Sequence, residues 1–139
     1  MPKWIEFAHI AAAATYRSQD DLFSVIDAGI TKVVASSLPA RHEITLIVQF
    51  CFTEPDTNTR EHFSLVVTDP DDLQMAEVTG EIDATRPSGA DLTFPFTFTV
   101  VQRYVLTLQK RGYHTARITL GKDLKKELKL LVDQGTPGK

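Results

Sequence analysis

Apolar side chains recur at every second position in two long stretches of this chain: Ile44, Leu46, Val48, Phe50 and Phe52 in one, and Leu92, Phe94, Phe96, Phe98 and Val100 in the other. In extended backbone successive side chains point to opposite faces, so each stretch presents one apolar face and one polar face. Strands of this kind bury their apolar faces against one another in two layers. The pattern predicts an all-β fold: a two-layer antiparallel β-sandwich of about seven to nine strands.

The other segments fit that frame. Trp4 to Thr15 contains the helix-favouring run Ala11 to Ala14, but it is short, has no N-cap residue and leads at once into the polar turn Arg17 to Asp21, so it reads as strand. Leu22 to Val34 carries Phe23, Val25, Ile26, Ile30, Val33 and Val34 around Gly29. An isolated glycine marks a bulge or bend, and the segment reads as one strand or two short ones. Leu38-Pro39 ends it, because proline cannot donate to a ladder. Strands over Glu43 to Phe52 and His62 to Thr68 follow, with the turn Glu54 to Asn58 between them. Asp69-Pro70-Asp71-Asp72 places proline where a type I turn favours it, beside aspartates able to cap nearby amides. Within Leu73 to Asp83 the apolar phase moves from odd positions (Leu73, Met75) to even ones (Ala76, Val78, Ile82), which predicts a bulge.

Even-numbered apolar positions then persist from Leu92 to Leu108, longer than the usual strand of about five or six residues, so a break is predicted near Gln102-Arg103. Lys110-Arg111-Gly112 turns into a strand over Tyr113 to Leu120 with Ala116, Ile118 and Leu120 on one face. Lys122 to Val132 carries two periods at once: Leu124, Leu128 and Leu131 fit a helix, while Leu128, Leu130 and Val132 fit a strand. A hairpin turn at Gly121, and an edge that needs pairing, favour a final strand from about Glu127 to Val132. The chain is expected to form a single domain over residues 1–133, with a loose tail from 134 to 139.

The order of segments resembles a family of small bacterial proteins known only as a domain of unknown function. The similarity runs from Phe7-Ala8 and its small neighbours through Leu22 to Thr31, Leu38-Pro39 and His62 to Asp69. It continues through Arg86-Pro87-Ser88-Gly89 with Pro95 and Gly112 to Ile118. The resemblance implies an immunoglobulin-like β-sandwich and brings with it no activity or catalytic residue. Similar sequences usually place an aromatic, often tyrosine, two residues after the glycine, where this chain has His114.

Fifteen basic against eighteen acidic side chains leave a formal charge of −3, which disfavours a broad phosphate-binding surface, so no nucleic-acid partner is expected. Uncharged stretches such as Phe7 to Tyr16 fall far short of the ~20 residues a membrane-spanning helix needs. Glu6 and His9 interrupt the apolar start of the chain, so a cytoplasmic location without membrane association is expected. The single cysteine, Cys51, has no intrachain partner and lies inside an alternating strand, where a thiol acts as a small inert side chain.

Candidate chemistry is sparse. His9, His42, His62 and His114 raise the question of zinc but show no ligand spacing and fall on different strands. Asp69, Asp71 and Asp72, joined by Glu54, Asp56 or Asp91, offer the oxygens calcium takes without an ordered ligand series. Cys51 lacks the accessible, electropositive setting of a reactive thiol, and Ser36, Ser37 and Ser88 lack a nucleophile-elbow pattern. Phe94, Phe96 and Phe98 alternate with threonines rather than basic residues, which suits a core and not a base-stacking platform.

No catalytic, cofactor-binding or metal-ligating residue is assigned on these grounds, and no cofactor is expected. The expected function is a non-enzymatic protein-binding or assembly module. Its partner is another protein or a second copy of the chain, met at the charged C-terminal segment and the open strand edges. The alternative is a calcium- or zinc-binding domain using its end loops, and a hydrolase is the third class.

Overall fold

A computed structural model describes residues 3–17, 22–52, 60–83 and 96–135, and every regular element among them is a strand. In chain order these are β1 (Lys3–Ala11), β2 (Ala13–Arg17), β3 (Leu22–Ile26), β4 (Lys32–Ala35), β5 (Ala40–Phe52), β6 (Arg60–Thr68), β7 (Gln74–Asp83), β8 (Phe96–Leu108), β9 (Gly112–Leu120) and β10 (Leu124–Gln134). One sheet has the order β1-β5-β8 and the other β4-β10-β9-β6-β7, while β2 and β3 form a separate hairpin. The chain crosses between sheets from β5 to β6, from β7 to β8 and from β8 to β9. Antiparallel neighbours β6–β7 and β9–β10 complete an immunoglobulin-like Greek key.

The alternating stretch in β5 supplies the centre of the core. Phe50, Phe52, Leu46 and Ile44 are buried against Leu65, Ile118, Leu120 and Leu108 from the strands around them. Phe96 and Phe98 are half-buried, their rings 6.1 Å from Phe52 and 6.1 Å from Phe63; Phe94 lies outside the described residues. The two sheets are also tied by Tyr104, whose hydroxyl donates to the Leu65 carbonyl across the sandwich at 3.2 Å.

Several expectations are corrected. β8 is not broken at Gln102-Arg103, because it pairs residue for residue with β5 from Phe96↔Phe52 to Leu108↔Ala40. A partner of equal length, and not the average strand length, sets its extent. The face of β5 expected to be polar is covered as well: Thr45, Ile47 and Cys51 are buried, and β2 packs across β5 and β8. Ten strands, not seven to nine, are found among the described residues, and one pair, β4 with β10, is parallel.

The local signals in the sequence have visible causes. Leu22 to Val34 is two strands separated by Asp27 (φ 54°) and Gly29 (φ 79°), where the chain leaves the hairpin and moves to the second sheet. Pairing jumps from Val67↔Ala76 to Thr68↔Gln74, leaving Met75 as the extra residue of a bulge where the apolar phase changes. Asp72 N–H donates to the Asp69 carbonyl at 3.0 Å, and the Asp69 carboxylate accepts from the amides of Asp71 and Leu73 at 2.8 and 2.9 Å. Gly121 (φ 65°) turns β9 into β10. β10 starts earlier than the alternation suggests and runs to Gln134, and Gly135 N–H donates to Ala35 at 2.8 Å, so ordered backbone continues past residue 133.

Candidate functional site

Where the two sheets fail to close on each other, a groove of about 520 Å³ opens between β1 and β10. Ala8 and Ile10 of β1 and Ile30 of the β3–β4 connection give it an apolar floor, with Leu128 and Leu131 of β10 opposite. Tyr113, 60% exposed at the start of β9, stands at its side, and Lys32 and Lys129 supply positive charge at its rim.

The groove exists because β4 is short. Its four residues pair only with Leu131–Gln134, so Leu124–Leu130 of β10 has no hydrogen-bonded strand partner on that side among the described residues, although β1 of the other sheet comes close to β10. Upstream of β4 the chain bends away to β1, where Ile30 N–H donates to the Ile10 carbonyl at 2.9 Å. Leu131 N–H donates to the Thr31 carbonyl at 2.9 Å. Because backbone groups alternate sides along a strand, the N–H and C=O groups of Lys125, Glu127 and Lys129 face the same open side. A row of backbone donors and acceptors beside an apolar floor is what an added strand requires.

The side chains of this edge divide by face. Leu124, Leu128 and Leu130 take the core-facing phase, and Lys126 interrupts them with an inward-phase charge that reaches solvent. On the outer face Glu127 lies 3.1 Å from Arg117 and 3.7 Å from Lys129. The Arg117 hydrogen bond, helped by the charge of Lys129, holds its carboxyl below the ordinary glutamate range. At the far end of β1, Lys3 bridges Glu61 and Asp123 at 3.0 and 3.1 Å and ties the edge strand to the second sheet.

A second feature lies at the end of the sandwich. His114 is 1% exposed and borders a cavity of about 200 Å³ together with Asp69, Gln74, Thr107 and Lys110. Its Nδ1 lies 3.2 Å from the Gly112 carbonyl, which only accepts, so Nδ1 is the donor. Nε2 has no hydrogen-bond partner among the described residues, and neither has the buried hydroxyl of Thr68. Nearby, Lys110 pairs with Asp71 and lies 3.9 Å from Asp69.

The structure keeps the histidines on separate strands, and among the described residues no three His, Cys, Asp or Glu side chains group as metal ligands. His9 and His62 are exposed and His42 half-buried, whereas His114 belongs to the core, a placement the sequence reading missed. The signal was present: His114 continues the even-numbered series Ala116, Ile118 and Leu120. His62 lies 3.9 Å from Glu81, but the neighbouring Ser64 hydroxyl is engaged with Thr119. Ser36 and Ser37 are exposed in the bend before β5, while Glu54, Asp56, Ser88 and Asp91 lie outside the described residues. Burial, with a smaller contribution from Glu6, pushes the Cys51 thiol up to about 11.

A family model described as a family of unknown function (DUF6941) matches residues 6–133. No curated protein matches the chain, and no solved structure does.

Proposed function

We propose that this chain, which belongs to the DUF6941 family of unknown function, is a non-enzymatic assembly module that accepts an extended segment of a protein at the open edge of β10. The observation that carries this is the stretch Leu124–Leu130, which among the described residues has no hydrogen-bonded partner on the side away from β9, and whose end from Glu127 onward lines a groove with Ala8, Ile10 and Ile30. Backbone hydrogen bonds to Lys125, Glu127 and Lys129 would hold the segment, and its alternate apolar side chains would fill the groove. A reducing, cytoplasmic compartment is part of the same proposal, supported by the free and buried Cys51; cell fractionation tests it.

Lys125→Pro isolates the edge. Proline removes an N–H on the open edge and leaves the β9 ladder its donors, a setting in which a strand tolerates it. Light scattering on complexes formed in extract of the native cell is expected to show a defined assembly with the wild type and none with Lys125→Pro. A monomer with no retained partner, or an assembly indifferent to the substitution, counts against the proposal.

The second reading, a metal- or ligand-binding domain, is favoured by the unpartnered Nε2 of buried His114 beside Asp69. Zinc or calcium would then raise the melting temperature in a dose-dependent way, and no shift at millimolar metal removes it. Against calcium stands the engagement of both nearby carboxylates, Asp69 by backbone amides and Asp71 by Lys110.

A further inference from the structure

We propose that the segment accepted at β10 is β7 of a second copy of this chain, so that the five-stranded sheet continues from one molecule into the next. The inference rests on strand addition at β10 and names its partner.

The two edges of that sheet carry opposite charge. β7 contains Glu77, Glu81 and Asp83 and no lysine or arginine, although Glu81 lies 3.7 Å from Arg60 and 3.9 Å from His62 of the neighbouring β6. The open part of β10 contains Lys125, Lys126 and Lys129, with Lys32 on the neighbouring strand. Its single carboxylate, Glu127, is already paired with Arg117 and Lys129, whereas Lys125 and Lys126 have no anionic partner among the described residues.

Direction and face agree as well. From β10 through β9 and β6 to β7 every step is antiparallel, so β7 runs opposite to β10. A copy displaced along the sheet without rotation therefore brings β7 antiparallel to β10. In L-residue strands the side-chain face fixes the side to which the backbone groups point. The outer-face residues of β10 turn theirs to its open edge, and those of β7, on a strand of opposite direction, turn theirs to the opposite edge of the sheet, which has no strand neighbour among the described residues.

One register satisfies the side chains. With Glu81 opposite Lys125 and Glu77 opposite Lys129, Thr79 falls opposite Glu127. On the core side Ile82, Val78 and Ala76 then meet Leu124, Leu128 and Leu130, and Gly80, which has no side chain, meets Lys126. A slip of two residues either way sets Glu81 or Glu77 opposite Glu127, and a slip of one either way breaks the match of faces and sets Glu77 against a leucine, Leu128 or Leu130. The open lengths match: Ala76–Ile82 ends at the Met75 bulge, and Leu124–Leu130 ends where β4 begins.

This contact joins different surfaces and does not close on itself, so it builds chains longer than a dimer. Sedimentation velocity is expected to show growth beyond dimer between about 10 and about 500 µM protein, stronger at about 50 mM than at about 500 mM salt. Glu77→Lys with Glu81→Lys, and separately Lys125→Glu with Lys129→Glu, should each weaken association at least about tenfold. Mixing the two variants should restore it, a result that misfolded variants cannot give. A wild type that stays monomeric under all these conditions overturns the homotypic partner, while loss of another protein's capture on Lys125→Pro would still uphold strand addition. Assembly that survives both charge reversals, or is not restored by mixing, overturns the register.

Discussion

Replacing Gly80 by alanine should destabilise the fold, against the usual preference of a strand for alanine over glycine. Gly80 sits directly across from Phe63 in the β6–β7 ladder. A Cβ built on it meets Cε1 and Cζ of Phe63 at 2.6 Å each, where carbon atoms settle about 3.5–4.0 Å apart. The ring must therefore move by about 1 Å. It has little room to do so, since its centroid lies 5.6 Å from Phe50, which is fully buried, and 6.1 Å from Phe98. Overpacking of this kind costs about 1–3 kcal/mol, and the lower chain entropy of alanine returns about 0.5–1 kcal/mol. The net expectation is a loss of about 1–2 kcal/mol, read in urea as a lower midpoint at unchanged slope. Phe63→Leu removes the atoms in conflict, so Gly80→Ala in that background should be neutral or stabilising. An equal cost in both backgrounds, or no cost in the wild type, would refute the clash with Phe63 as the cause.

Three further substitutions or measurements probe other parts of the structure. Tyr104→Phe should cost about 1 kcal/mol at neutral pH, the worth of a buried hydrogen bond between the sheets. Burial, and secondarily the charge of Glu77, pushes the Tyr104 phenol to about 12. The unfolded phenol then ionises first, so wild-type stability should fall as pH rises above about 10 with a component the Phe variant lacks; parallel alkaline limbs would contradict this. Asp69 is held below the ordinary aspartate value by the Leu73 amide first, then by the Asp71 amide and Lys110. A depressed carboxyl stabilises above its unfolded value and loses that contribution as pH falls through the folded one. Asp69→Asn should therefore flatten the acid limb of a stability profile below about pH 4, and an unchanged limb would count against the turn bonds. Cys51, 3% exposed with its thiol raised to about 11, should carry about 100-fold less thiolate than an ordinary cysteine and alkylate only as fast as the protein unfolds. Rapid labelling of the native protein would place the thiol elsewhere.

The parts of this fold that were legible in the sequence are those set by neighbours along the chain. The side-chain period identifies β5, β6 and β9, the phase change at Met75 marks a bulge, and Asp69-Pro70 specifies its turn. What was not legible depends on a partner strand far away in sequence. β8 continues through Gln102 because β5 lies beside it, and the second face of β5 is buried because β2 folds over it. β4 has only four residues and pairs in parallel with β10, and a pattern of alternation does not state direction. The groove follows from that mismatch in length. Its trace in the sequence is Lys126, a charge in the apolar phase between Leu124 and Leu128, of the kind that marks a strand the rest of its own sheet leaves open on one edge.

The same charges that guard these edges give the proposed assembly its selectivity. An open strand edge pairs with any other unless something opposes it, and proteins commonly place charge or a bulge there to do so. Here each edge carries one dominant sign. Pairing β7 with β7 about Thr79 sets Glu77 opposite Glu81, which disfavours the symmetric dimer that a neutral β7 edge would form. The unlike pair sets opposite charges against each other, and within it Glu127 penalises the two nearest registers that keep the faces aligned. Neutralising one edge should then do more than weaken association. With Glu77→Gln and Glu81→Gln the repulsion between two β7 edges is gone, so closed β7–β7 dimers should appear as the longer chains are lost. Their appearance in sedimentation, insensitive to salt, is the expected sign that charge was selecting the partner edge; an undiminished population of long chains would show that it was not.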